Sequence, residues 1–239
     1  IRYDDNGNTI SERNQNYGWD YKDRLVSMSK TGTSAHYRYD YSNSRKYKAI
    51  RNVRNEVVKQ TMYIDQFSEV RNGKLTKYMY AGNLRIARSK TSSPLPQSFY
   101  LHDHLGSTNL ATDASGKVNE HFVNYPFGRN RLEGQIVKQS DYRFTGKELD
   151  EESDLQYFEA RYLGMINQFL NVDPLLVEAS KRLSNTPQML NTLTYVINNP
   201  IKLIDRTGYV PEHISITTFD DGGATFKVRG PSQGIMTDA

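Results

Sequence analysis

The chain contains no cysteine, and this absence excludes disulfide bonds, thiolate metal sites and thiol catalysis. It also has no run of 18 or more apolar residues, so no transmembrane helix is predicted. Glycine-rich phosphate loops, Walker motifs and dinucleotide fingerprints are missing as well. The sequence therefore predicts no cofactor.

Tyrosine supplies much of the apolar area. The chain has 17 Tyr and 9 Phe but a single Trp, while its hydrophobic content is 36%. Tyrosine has a polar hydroxyl and a strong preference for strands, so it suits a half-buried sheet surface better than a compact apolar core. We expect a wall of strands with water on both faces, in which aromatic rings stack across neighbouring strands. The rings expected to do so include Trp19, Tyr39, Tyr100 and Phe127.

Positive charge is concentrated in the first part of the chain. The formal net charge is +4, but residues 1–90 hold 18 Lys and Arg against 9 Asp and Glu. A basic balance is one feature of nucleic-acid-binding proteins. Here the basic residues alternate with Tyr and Asn, as in Tyr37-Arg38-Tyr39, which is typical of a solvated sheet face. We therefore predict no nucleic-acid partner.

A repeat begins at the amino terminus. Aromatic–aspartate pairs start at Tyr3, Trp19 and Tyr39, and each is followed by a turn and a β-rich stretch. Asn6-Gly7 is typical of a hairpin turn, because both residues tolerate positive φ. One such unit cannot bury its own face, so it must stack on its neighbours. Since the chain opens inside this pattern, we expect it to be part of a longer protein with more repeats before Ile1.

Hairpin signals continue to about residue 123. Turn sequences such as Arg71-Asn72-Gly73-Lys74 and Asp113-Ala114-Ser115-Gly116 lie between β-rich stretches. Strands are therefore predicted to dominate residues 1–147, as antiparallel hairpins that follow one another in sequence. The strands expected after residue 56 are 57–70, 75–87, 98–101, 108–112 and 117–123.

The last third of the chain has a different pattern. The acidic stretch 148–154 predicts a turn or a short helix, and the apolar spacing around 177–183 predicts a helix. Two short strands are expected at 214–219 and 224–228, around the turn sequence Asp220-Asp221-Gly222-Gly223. The predicted class is mainly β, with helix confined to short pieces after residue 147.

Three groups of motifs resemble the Rhs-associated core of YD-repeat proteins. In chain order they are Tyr100–Thr108 with Tyr125–Gly128, then Tyr142–Glu148 with Tyr157–Tyr162, then Phe169–Pro174 with Tyr195–Pro200 and Asp205–Gly208. Their order and spacing are similar to that family from about residue 98 to 209, and the units before them resemble ordinary YD repeats.

The resemblance implies a spiral of β-hairpins that forms part of a hollow shell, with a small mixed plug near its C-terminal end. It also implies three parts, which are shell strands at 1–97, a core at 98–209 that closes the shell, and the start of a variable segment at 210–239. Winding such a ribbon so that successive turns pair removes most exposed strand edges.

The function that the resemblance implies is encapsulation of a polypeptide cargo, most often a toxin, by a secreted or cell-surface protein. Its expected partners are its own C-terminal cargo segment, the upstream repeats of the same chain and a secretion or delivery machine. The alternative is a YD-repeat cell-surface adhesion or contact protein, whose core is structural and does not cut. A further domain after Ala239 would favour the first function, and a wall anchor or chain end would favour the second.

Asp173 and Asp205 are the candidate catalytic residues. In the family, two Asp-Pro-x-Gly-type motifs resemble an intramolecular aspartyl autoprotease that cuts the chain after the second motif. On this chain the resemblance places the cut between Tyr209 and Val210. Such chemistry needs one ionised carboxylate to activate water and one protonated carboxyl to polarise the peptide carbonyl.

The chain departs from the family pattern at three positions. Leu176 replaces a usual Gly, Arg206 replaces a usual Pro, and Gln168 replaces a usual basic residue. A structural interpretation stays open beside the catalytic one, in which Asp173 caps the following turn or helix and Asp205 sits in a Thr-Gly turn.

Two further groups of polar residues have weaker signals. Arg161 is a candidate partner for one of the two aspartates or for Glu148. His102 and His104 point the same way on a strand, as metal ligands would, but they more often fix a turn, and no metal site is predicted. Asp103, His104 and Ser107 resemble a hydrolase triad in residue types alone, because no nucleophile elbow surrounds the serine.

Overall fold

The computed structural model of the chain describes residues 1–90, 95–131, 140–174 and 191–209. It also describes the backbone of residues 211–218 and 224–229. Within these ranges the protein is mainly antiparallel β-structure, and its helical residues form two short 3-10 turns at Phe144–Gly146 and Val196–Asn198. No helix among the described residues is long and apolar enough to cross a membrane.

One sheet of thirteen strands, called here the long sheet, contains the first half of the chain. Its strands pair in the order β1 to β13 with no crossover, and every pair is antiparallel. The prediction of sequential hairpins is confirmed. The strands are β1 Arg2–Tyr3, β2 Thr9–Glu12, β3 Gln15–Trp19, β4 Leu25–Lys30, β5 Thr33–Tyr39, β6 Arg45–Asn52, β7 Val57–Asp65, β8 Ser68–Arg71, β9 Lys74–Ala81, β10 Leu84–Lys90, β11 Ser98–His102, β12 Thr108–Thr112 and β13 Val118–His121.

The aspartate of the aromatic–aspartate repeat forms the turn. In the first unit Asp4 Oδ1 accepts hydrogen bonds from the backbone N–H of Asn6 at 3.0 Å and of Asn8 at 2.8 Å. Asp20 and Asp40 make the same two bonds to the residues two and four positions further on. A carboxylate that binds its own downstream backbone offers the chain a ready-made turn, which explains why the repeat ends each strand there.

Two predicted strands are each split by a further turn. The stretch 57–70 forms β7 and β8, because Asp65 Oδ1 accepts the N–H of Phe67 at 2.8 Å and reverses the chain. The stretch 75–87 forms β9 and β10, which are joined at Gly82 with φ +57°. The long sheet therefore has shorter strands than the sequence indicated.

A second sheet of three strands packs against the long sheet and is called here the small sheet. Its strands are β14 Glu148–Asp150, β15 Leu155–Phe158 and β16 Arg161–Leu163. The prediction of a turn or short helix at 148–154 is wrong for its first three residues, which form β14, and a turn follows them. Most of this sheet is buried, so it has two packed faces.

The two faces of the small sheet belong to two different hydrophobic clusters. Leu155 and Tyr162 pack against the long sheet, in a cluster with Leu25, Met28 and Tyr37. The residues of the opposite face pack with later segments of the chain. That second cluster contains Leu105, Phe144, Phe158, Leu163, Phe169, Tyr195, Val196, Leu203 and Ile204.

We expected the aromatic rings to stack across neighbouring strands, but most ring pairs join different layers of the fold. Tyr37 and Tyr78 of the long sheet contact Tyr162 and Tyr142, with ring centroids 5.7 Å and 5.4 Å apart. In the described ranges, Phe67 and Tyr80 are the one ring pair that lies within the long sheet. The expectation of water on both faces is therefore wrong where the small sheet covers β3–β6.

The four named rings have different outcomes. Phe127 packs on Tyr195, at 6.2 Å between centroids, which is a contact outside the long sheet. Trp19 and Tyr39 are half-buried beside the cluster that joins the two sheets, and the indole N–H of Trp19 donates to Thr9 O at 2.8 Å. Tyr100 is buried, and none of these three makes a cross-strand ring pair in the described part of the chain.

A third sheet follows and consists of β17 Leu203–Asp205, β18 Pro211–Thr218 and β19 Ala224–Arg229. Its last two strands match the predicted strands to within three residues. The helix predicted at 177–183, and with it the helical part of the mixed plug, lies outside the described residues. The division at residue 97 stays a prediction, while the long sheet itself runs across that position to His121.

Candidate functional site

One arginine brings the two predicted aspartates together. Arg161 Nη2 lies 3.1 Å from Asp173 Oδ2 and 3.3 Å from Asp205 Oδ2. The arginine begins β16, Asp205 ends β17, and Asp173 follows the buried residues 169–171 and the half-buried Val172. Because Asp173 Oδ2 and Asp205 Oδ2 contact the same nitrogen, the distance between these two oxygens is no larger than the sum of the two contact distances.

Asp205 also organises the turn that follows it. Its Oδ1 accepts hydrogen bonds from the backbone N–H groups of Thr207 at 3.1 Å, Gly208 at 2.8 Å and Tyr209 at 3.2 Å. The carboxylate is buried, with 1% of its side chain exposed. The Thr-Gly turn that the structural interpretation expected is therefore present, and its last N–H donor belongs to Tyr209, the residue before the predicted cut.

Arg161 also binds the peptide carbonyls of this turn. Its Nε donates to Gly208 O, and its Nη2 lies 3.4 Å from Tyr209 O, the carbonyl of the predicted scissile bond. Its Nη1 donates to Thr192 O at 3.0 Å, and the guanidinium lies 3.7 Å from the centroid of the Phe169 ring. A guanidinium with all three nitrogens engaged has a fixed orientation.

Gly208 allows the turn to lie this close to the small sheet. Its φ is +75°, and a Cβ added there would overlap Phe158 O and would lie 3.0 Å from Arg161 N. The N–H of Ala160 donates to Thr207 O at 3.2 Å and joins the turn to the small sheet. A residue with a side chain at position 208 would push Tyr209 away from Arg161.

The chain after the turn returns along β17. Val210 lies outside the described residues. Pro211 is the first residue of β18 and is paired with Asp205 across the ladder. A proline at the first position of a strand costs no ladder hydrogen bond, so it is tolerated inside regular pairing here.

Burial sets the protonation of the site. It raises the pKa of Asp205 above its ordinary value, and the opposing effects of Arg161 and of the backbone N–H groups of Thr207 and Gly208 do not cancel it. Burial also lowers the pKa of Arg161, although the two aspartates favour its cation. Asp173 is more open to solvent, with 20% of its side chain exposed. The two carboxyl groups therefore have unlike environments.

The other candidates have structural roles in this fold. Glu148 binds Arg45, Lys48 and Arg71, so the choice left open for Arg161 falls on the aspartates. The contacts with the Gly208, Tyr209 and Thr192 carbonyls were not predicted, because no sequence signal marks a backbone acceptor.

Among the histidine, aspartate and serine candidates, Asp103 fixes a turn, and His104 and Ser107 contact other segments of the chain. Asp103 Oδ1 accepts the N–H groups of Leu105 and Ser107, and Ser107 Oγ accepts the N–H of Thr145 at 3.1 Å. His104 Nε2 lies 2.9 Å from Ile201 O. Across the described ranges no three His, Asp or Glu side chains are grouped as metal ligands.

The chain is similar in sequence to large curated proteins. It is 30% identical over 216 residues to the tRNA3(Ser)-specific nuclease WapA of Bacillus spizizenii, a match that covers 87% of this chain and 9% of WapA. It is 26% identical over 244 residues to Salivary gland surface protein 1 of Aedes aegypti, with 88% of this chain and 7% of that protein covered. The chain thus spans less than a tenth of either relative. No protein-family model matches it.

The fold is shared with solved toxin-complex structures. The Tc holotoxin pore of Photorhabdus luminescens, with an aspartate-to-alanine substitution in TccC3, matches with a TM-score of 0.69 and 20% identity over 94% of this chain and 11% of that chain. The crystal structure of TcdB2-TccC3 matches with a TM-score of 0.67 and 21% identity over 86% of this chain and 11% of that chain. The chain therefore has the β-rich fold of Rhs-like shell proteins, and its relatives include toxin-related proteins.

Proposed function

We propose that this chain is the C-terminal part of a β-shell that encloses a polypeptide cargo, and that it cuts itself between Tyr209 and Val210. We also propose that the cargo is a toxin, that the protein is exported and that a delivery machine is one of its partners. The sequence similarity to a WapA nuclease and the fold shared with TcdB2-TccC3 support this setting.

The observation that carries the cleavage step is the arrangement around Arg161. Asp173, Asp205 and the Tyr209 carbonyl all lie within 3.4 Å of its Nη2. A cation aimed at a carbonyl stabilises the negative charge that develops on the oxygen when a nucleophile attacks its carbon. The nearby carboxyl groups can supply the base and the acid of the same reaction.

The reaction is a hydrolysis with two proton transfers. Asp173, the more exposed carboxylate, takes a proton from water as the water oxygen bonds to the Tyr209 carbonyl carbon. Arg161 stabilises the resulting oxyanion. Asp205, whose pKa is raised by burial, gives its proton to the Val210 nitrogen as the C–N bond breaks. Because the site and its substrate share one chain, the rate is expected to be independent of protein concentration.

The test is intact-mass spectrometry of the full-length protein that contains this chain. We expect wild type to yield a fragment that ends at Tyr209, while Asp173→Asn and Asp205→Asn stay full length, since an amide cannot exchange the protons. Asp113→Asn is the matched control, because Asp113 forms the same kind of turn and has no contact with the site. An uncut wild-type chain, or a cut Asp205→Asn chain, would contradict the proposed cleavage.

The alternative function is a cell-surface contact protein with a structural core. The similarity to Salivary gland surface protein 1 favours it, as does the ion pairing of both aspartates with Arg161, because such pairing favours ionised carboxylates. In that case the full-length protein stays uncut, while Asp205→Asn lowers its melting temperature through the loss of the buried ion pair.

A further inference from the structure

The small sheet connects the long sheet to the candidate cleavage site. Arg161 and Tyr162 are neighbours on β16, and successive side chains of a strand point to opposite faces. The Tyr162 hydroxyl accepts a hydrogen bond from Arg45 Nη1 of the long sheet at 3.0 Å, while Arg161 binds Asp173 and Asp205. Strand β16 therefore contacts the long sheet through Tyr162 and the candidate site through Arg161.

Arg45 is enclosed by the wall-facing side of the small sheet. Its guanidinium binds Glu148 Oε2 and Asp150 Oδ2, each at 2.6 Å, and its side chain is 0% exposed. The centroid of the Tyr157 ring lies 4.1 Å from its central carbon, and the Tyr157 hydroxyl accepts the backbone N–H of Arg45 at 3.1 Å. These contacts, with Tyr162, come from all three strands of the small sheet.

Strand register transmits the position of the wall-facing residues to the site-facing ones. Tyr157 pairs with Tyr162 and Phe158 pairs with Arg161 in adjacent positions of one ladder. Phe158 then packs on Phe169, with ring centroids 5.8 Å apart, and Phe169 lies under the Arg161 guanidinium. A shift of the small sheet relative to the long sheet therefore moves Arg161 relative to the turn that it binds.

We propose that Arg45 is a positioning residue for the cleavage after Tyr209. It acts through the small sheet, so that the chain cuts itself only when the small sheet is packed against the long sheet. The inference rests on the proposed self-cleavage and deepens it. Arg45 binds the face of the small sheet opposite to Arg161, so its effect is on the placement of Arg161. A chain whose long sheet has not yet formed then keeps its C-terminal segment attached.

The test compares Arg45→Met, Arg45→Lys and the control Arg38→Met in the full-length protein. Arg38 lies on β5 beside Arg45, but its side chain is exposed and lies over Tyr47, away from the small sheet. A misplacement of about 1 Å can cost roughly 100-fold in rate, so we expect Arg45→Met to slow the appearance of the fragment by about that factor. Arg45→Lys should restore part of the rate, and Arg38→Met should cut like wild type.

A second readout does not depend on cutting. Backbone amide exchange is measured for residues 205–209 in an Asp173→Asn background, which leaves the hydrogen bonds accepted by Asp205 intact. We expect Arg45→Met to speed exchange at Thr207, Gly208 and Tyr209, and Arg38→Met to leave it unchanged. If wild type is never cut, the cleavage proposal fails while this measurement still decides the coupling.

Two outcomes would overturn the positioning role. One is a folded Arg45→Met protein with wild-type cleavage rate, and the other is unchanged exchange at residues 205–209. Where Arg45→Met does not fold, Tyr162→Phe takes its place, because it keeps the ring and removes the hydroxyl that bonds to Arg45 and to the Tyr39 hydroxyl. It is expected to give a smaller change in the same direction, and wild-type values for Tyr162→Phe would equally refute the proposal.

Discussion

Gly208→Ala should destabilise the protein more than the same change at another glycine of like conformation. Gly208 has φ +75° and Gly73 has φ +77°, so both substitutions place an alanine in the left-handed region. That conformational cost is about 1–2 kcal/mol. A Cβ at Gly73 would meet no atom within 4 Å, whereas a Cβ at Gly208 would overlap the Phe158 carbonyl.

The difference between the two variants isolates the close approach of the turn to the small sheet. Forcing an extra carbon into a packed site costs about 1–3 kcal/mol, so Gly208→Ala should lower the unfolding free energy by roughly 2–5 kcal/mol in total. Urea titration followed by tryptophan fluorescence would measure both variants against wild type. Equal losses for Gly208→Ala and Gly73→Ala would show that the turn does not press on β15 and β16.

Two further predictions concern the long sheet. Glu12 is buried with neither carboxylate oxygen hydrogen-bonded in the described ranges, and burial raises its pKa, so the folded state holds an extra proton between the ordinary and the raised pKa. The free energy of unfolding of wild type therefore rises as the pH falls through that window. Glu12→Gln should have the larger free energy of unfolding at pH 7, and urea titrations should show that this advantage shrinks towards pH 4. A difference that stays constant with pH would contradict the prediction. Trp19→Ala should lower the unfolding free energy by about 2–3 kcal/mol, measured by calorimetry, because the half-buried ring and its bond to Thr9 O are lost. The exposed Tyr21→Ala is its control, and equal losses would contradict the role given to Trp19.

The architecture of the first half could be predicted because its determinants are local. Each aromatic–aspartate unit contains its own turn-forming carboxylate, so the order of strands follows from the sequence. The turns at Asp65 and Gly82 escaped prediction because they interrupt stretches that are β-rich throughout. The strand at Glu148–Asp150 escaped it for a non-local reason. Two acidic residues in three disfavour a buried strand unless cations face them, and those cations lie about 100 positions earlier in the chain.

Only those residues of the candidate site that lie in recognisable sequence motifs could be predicted. Asp173 and Asp205 were found through the resemblance, and the structure places both on Arg161. The choice between Arg161 partners stayed open because no sequence pattern shows which carboxylate lies beside a given arginine. Spatial proximity here comes from the pairing of β14–β16 and the fold of 191–209 onto them, neither of which has a periodic sequence signal.

The buried charges between the two sheets select one register for the small sheet. Replacing a buried ion pair with apolar residues is often neutral or stabilising, so Arg45 and Lys48 contribute little net stability through Glu148 and Asp150. A slip of β14 by one residue, however, would turn both carboxylates to the opposite face and leave two buried cations without partners. The same register determines which side chains of β16 face away from the long sheet. The charges that hold the small sheet against the long sheet therefore also place Arg161 beside the two aspartates.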